Sequence, residues 1–81
     1  MIMARFFFHL HDHDEVEGCD ETREFPDLFA AIAVATEELR DLLADQVRHG
    51  YLDTGLRITI SDEQGRSVAA VDFSEAVKLR D

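Results

Sequence analysis

From Asp27 to Gly50 the chain carries one continuous helical pattern, and this leaves the rest of the sequence little choice. Leu28, Ile32, Ala35, Leu39, Leu42 and Gln46 recur at spacings of four and three, widened by Ala31, Leu43 and Val47. Glu37, Glu38, Arg40, Asp41 and Arg48 lie mostly off that stripe. Asp27 can accept from the free amides of the first turn, and Gly50 can take the left-handed conformation that ends the last one. The pattern predicts an amphipathic helix over residues 28 to 49, about 22 residues and 33 Å long. An apolar stripe of that length must be covered, and in a chain of 81 residues only the flanking segments can cover it.

Both flanks read as strands. In residues 4 to 10, strand alternation puts Phe6, Phe8 and Leu10 on one side and Arg5, Phe7 and His9 on the other. Gly18 suggests a turn, and Thr22 to Phe25 a short returning strand that ends because Phe25 precedes Pro26. After the helix, Leu56, Ile58 and Ile60 alternate with Arg57, Thr59 and Ser61. Asp62-Glu63-Gln64-Gly65 offers a turn with glycine placed for positive φ. Arg66 to Phe73 alternates again, with Val71 and Phe73 inward and Val68 and Ala70 outward. Ser74 then reads as the N-cap of a short helical turn reaching Leu79.

The expected fold is therefore a single α+β domain over residues 1–81, a two-layer β(β)αββ arrangement. An antiparallel sheet of three or four strands is covered on one face by one long helix. Its predicted core holds Phe6, Phe8, Leu10, Ile32, Leu39, Leu42, Leu56, Ile58, Ile60, Val71 and Phe73.

A chain this short buries about 60 to 65% of its unfolded surface, enough for one core and no second. Hydrophobic residues make up 46% of the sequence and are spread through it, which separates it from chains that stay disordered. Cys19 is the only cysteine, so no intramolecular disulfide can form, and a reducing cytoplasm is the expected setting. The first residues lack the parts of a secretory signal, and no apolar run reaches the ~18 residues of a membrane span. No membrane association is expected. Eighteen acids against eight Lys and Arg give a net charge of −10, and the basic residues are scattered singly, which disfavours nucleic acid as a partner. Eight of the acids fall between Asp12 and Asp27, where Arg23 is the one basic residue.

Four segments in order carry a family resemblance: Arg5-Phe6-Phe7-Phe8-His9, Phe25-Pro26-Asp27-Leu28, Ile58-Thr59-Ile60-Ser61-Asp62-Glu63-Gln64-Gly65, and Val71-Asp72-Phe73-Ser74-Glu75-Ala76-Val77. Together they resemble a family of small proteins of unknown function found in rhizobia and related alphaproteobacteria, over almost the whole chain. His9 fits the aromatic start of that family, whereas His11 and His13 depart from it. The resemblance implies a bacterial, cytoplasmic, stand-alone domain and supplies no catalytic residues.

His9-Leu10-His11-Asp12-His13-Asp14 is the one dense group of possible ligands. On a strand, residues two apart point the same way at about 6.5 to 7 Å, so His9 and His11 could turn to one ion, with His13 as a third ligand if the strand ends near His11. Such a set would suit zinc, nickel or copper. The plainer reading is a polar strand end running into a solvated acidic loop. No nucleophile elbow or glycine-rich phosphate loop is present, and Cys19 lies among acids that would raise its pKa. No catalytic residue and no cofactor is expected.

Two functions follow as expectations. One is a non-enzymatic interaction or accessory module that binds a protein partner or a second copy of itself. Its contact surface would be the sheet face turned away from the helix, with Phe7, Arg57, Thr59, Val68 and Ala70. The other is a small transition-metal binder through His9, His11 and His13.

Overall fold

The computed structural model describes residues 3–12 and 15–78. Strands β1 (Ala4–Asp12) and β2 (Glu15–Phe25) precede helix α1 (Leu28–Arg48); β3 (Arg57–Ser61), β4 (Ser67–Asp72) and the short α2 (Phe73–Ala76) follow it. The strands form one sheet in the order β2-β1-β3-β4, every neighbouring pair antiparallel. Two hairpins are thus joined by α1, which sets β3 beside β1 and covers one face. This is the expected two-layer α+β arrangement, with four strands.

The caps of α1 act as their residue types predict. Asp27 is extended and its carboxylate accepts the Ala30 amide at 2.8 Å. Gly50 has φ of +90°, its amide donates to the Val47 carbonyl, and the Tyr51 amide donates to that of Gln46. These bonds satisfy the last carbonyls of the helix and turn the chain away from its axis.

The helix is rotated from the predicted stripe. Its buried residues are Ala31, Ala35, Leu39 and Leu43, a strict spacing of four. Ile32 and Leu28 are half-buried beside them, while Leu42 is 39% exposed and leaves the predicted core. The apolar arc of α1 is wider than one sheet can cover, so side-chain size decides which part faces inward. Ala31 and Ala35 let the helix approach the rings of Phe6, Phe8 and Phe25, all buried. Phe25 stacks on Phe8 at 5.6 Å between centroids and tilts against Phe6 at 6.2 Å. Leu10 and Phe73 are half-buried, and Leu56, Ile58, Ile60 and Val71 are buried.

Three local expectations are corrected. β2 is much longer than Thr22–Phe25, and Gly18 lies within it, paired with His9. Phe7 pairs with Thr22 and His9 with Gly18, so Cys19, Asp20 and Glu21 stand opposite Phe8 alone. Gly18 and the run of acids make this stretch read as a turn in a polar loop, while the two extra residues of β2, an even number, keep the pairing faces in step. Second, Phe73 belongs to α2 rather than to β4. Third, the cap of α2 is Asp72 rather than Ser74: the Asp72 carboxylate accepts the Glu75 amide at 3.1 Å and the Ser74 hydroxyl at 2.8 Å. A carboxylate is the stronger acceptor, and the serine serves as a donor to it.

The β3–β4 turn forms as read. Gly65 has φ of +79°, its amide donates to the Asp62 carbonyl, and the Asp62 carboxylate accepts the amides of Gln64 and Arg66 at 2.9 Å each. The register then slips between Ile60 and Ser61, leaving Val68 as the extra residue of a bulge. Among the described residues, no helix is long and apolar enough to cross a membrane.

Candidate interaction surface

Side chains directly opposite in paired strands share a face, so the registers lay out the side of the sheet that α1 leaves open. One row holds Phe7 of β1 beside Ser61 of β3. The next holds Gly18, His9, Thr59 and Ala70, and the last crosses from His11 to Arg57 to Asp72. At the other end Arg5 of β1 is paired with Glu24 of β2, and their side chains form an ion pair at 3.2 Å.

Four of the residues expected on this face are placed there by the pairing: Phe7 and Thr59 are half-buried, Arg57 and Ala70 exposed. Val68 is exposed but sits in the bulge, where simple alternation does not govern its direction. Alternation had turned Ser61 outward with Arg57 and Thr59, and the register adds that it stands beside Phe7 and that Asp72 stands beside Arg57. Glycine, threonine, alanine and serine occupy positions beside Phe7 and His9 on this face.

Of the proposed metal ligands, His9 and His11 share this face two residues apart, and His13 lies outside the described residues. Across β3, His9 faces Thr59 and His11 faces Arg57. Burial, the Arg57 charge and His9 together hold the His11 imidazole below its ordinary pKa. A guanidinium beside a ligand repels a metal ion, and among the described residues no group of three or more His, Cys, Asp or Glu is placed to hold one.

Asp72 closes the row. Its carboxyl is held below the usual carboxylate range first by the Ser74 hydroxyl, then by the Glu75 amide, with smaller help from the Ser74 amide and Arg57 and a small opposing effect of burial. On the covered side, Phe8, Leu10, Arg23, Glu38, Leu42 and Ile58 line a cavity of about 170 Å³ between sheet and helix.

No curated protein and no solved structure matches the chain. A family described as a domain of unknown function (DUF6894) matches residues 5–74, from the second residue of β1 to the second of α2. With all of the sheet but Ala4, and the whole of the long helix, inside that span, the chain belongs to the DUF6894 family.

Proposed function

We propose that the domain is a non-enzymatic interaction module, an accessory subunit that holds another protein against its open sheet face at Phe7, Arg57, Thr59, Val68 and Ala70. The observation that carries this reading is the charge of that face. Among the residues whose side chains are described, its paired positions set Arg5 and Arg57 against Glu24 and Asp72, two charges of each sign on a chain whose net charge is −10. A partly apolar sheet face that the helix leaves open, with its described charges paired, is a place where another surface docks with little electrostatic cost. The small side chains of Thr59 and Ala70 suit a partner with protruding apolar side chains; a second copy would meet them with the same small residues. The bacterial, cytoplasmic setting implied by the family resemblance belongs to the same proposal.

The test is purification of the tagged chain from its native cells, wild type against Thr59→Arg and Ala70→Glu, with melting curves confirming that both variants fold. A protein retained in stoichiometric amount by the wild type and lost from both variants is the expected result. Equal recovery with all three chains would sink the reading.

A further inference from the structure

Among the described residues, the most exposed of the large apolar side chains lie on or just beyond α1. Phe29 is 82% exposed near the start of α1, Val47 is 61% exposed near its end, and Tyr51 is 59% exposed just beyond it. Phe29 and Val47 are 18 residues apart, about five turns, and therefore lie on one line of the helix. Ala33, Glu37, Arg40 and Ala44, all exposed, continue that line between them. Val47, Gly50, Tyr51 and Leu52 surround a shallow depression of about 420 Å³ at its C-terminal end.

This stripe is complementary to itself when reversed. Two copies of α1 laid antiparallel, with a two-fold axis between positions 38 and 39, bring Ala33 opposite Ala44 and Glu37 opposite Arg40. The same register carries Phe29 to the partner's helix end, at the depression around Val47 and Tyr51. Each pairing occurs twice, once on each side of the axis, as a symmetric dimer requires. The alanines permit close approach of the two helices. Glu37 and Arg40 already pair at 3.3 Å within one helix, and Arg40 also donates through Nε to the Ala76 carbonyl at 2.7 Å, which holds it in place on the outer side.

We infer that the outer face of α1 is a homodimer surface, joining two copies antiparallel through Phe29, Ala33, Glu37, Arg40, Ala44 and Val47. The two open sheet faces then point away from each other, and the dimer is bivalent. The sheet face is not used in this contact, so the inference stands apart from the partner proposed for it.

Sedimentation equilibrium of the full chain tests this. The wild type is expected to show a concentration-dependent dimer. Phe29→Ser removes an exposed side chain that counts twice, and should weaken the dimer by about 100-fold, tenfold per copy. Glu37→Arg alone and Arg40→Glu alone should each be monomeric, whereas an equimolar mixture of the two should dimerise, because every facing pair is then of opposite charge. Thr59→Arg and Ala70→Glu should dimerise as the wild type does. A wild type that stays monomeric at high micromolar concentration overturns the inference, as does a mixture that fails to associate. Loss of the dimer in Thr59→Arg with its retention in Phe29→Ser would move the dimer contact to the sheet and overturn it equally.

Discussion

Arg23 of β2 and Glu38 of α1 form an ion pair between the edge of the sheet and the helix, and the Arg23 guanidinium carbon lies 5.1 Å from the centre of the Phe8 ring. The pair adds a polar tie between the two layers beside the burial of Phe25, through which β2 already shares the core with α1. Both side chains are about one-third exposed, so solvent screens their attraction. Replacing Glu38 with Gln should cost under about 1 kcal/mol and depend on salt, while Arg23→Ala should cost about 1 to 2 kcal/mol because packing on Phe8 is lost as well. Urea unfolding at two salt concentrations separates the two. Equal costs would mean that the ring contact contributes nothing.

The rotation of α1 can be tested with two leucines three residues apart. Leu39 is fully buried and Leu42 is 39% exposed. Leu39→Ala should cost about 2 to 5 kcal/mol, and Leu42→Ala about 1 kcal/mol or less. A domain of this size has roughly 3 to 5 kcal/mol in all, so the first variant should be largely unfolded at 37 °C. Comparable melting temperatures would restore the stripe predicted from periodicity.

In the β3–β4 turn, an alanine at position 65 would meet no atom within 4 Å, so its whole cost is the positive φ of the backbone. Gly65→Ala should destabilise by about 1 kcal/mol. Gly65→Asn should cost less, because asparagine tolerates the left-handed region. A neutral alanine variant would show that the turn relaxes to another type.

His11 links stability to pH. Its folded pKa lies below the ordinary value, first through burial and then through Arg57 and His9, so the unfolded chain binds the proton more readily. The corresponding stability is present above about pH 6.5 and is lost as pH falls through the lowered folded value. Arg57→Gln removes one of the causes and should move the His11 titration upward, as followed by the NMR shifts of the imidazole. An unmoved titration would leave burial and His9 as the only causes.

Asp72 has the same sign of linkage at lower pH. Its carboxyl is depressed chiefly by the Ser74 hydroxyl, so its contribution is present above the ordinary carboxylate value and lost as pH falls through the folded one. The Glu75 amide it accepts should then exchange faster with solvent in acid, and Ser74→Ala should move that onset to higher pH. Identical exchange profiles for wild type and variant would remove the hydroxyl from the cap.

Much of the architecture was legible because it rests on local chemistry. The Asp27 carboxylate and the positive φ of Gly50 mark the ends of α1 from within a few residues of sequence. Strand alternation likewise placed Phe6, Phe8, Ile58, Ile60 and Val71 in the core, since the pleat has a period of two whatever the strand pairs with. Other features depend on partners distant in the chain. Which arc of α1 turns inward followed from Ala31 and Ala35 sharing the buried cluster with the rings of Phe6, Phe8 and Phe25, a grouping that no helical period contains. The full length of β2 came from pairing with β1, which the acid-rich sequence around Gly18 does not announce, and the row of His11, Arg57 and Asp72 exists only because β1, β3 and β4 lie side by side. Periodicity reports that an apolar arc exists. Packing selects the part of it that is covered, because one sheet has area for only one side of a helix, and the uncovered remainder, from Phe29 to Val47, is left facing outward.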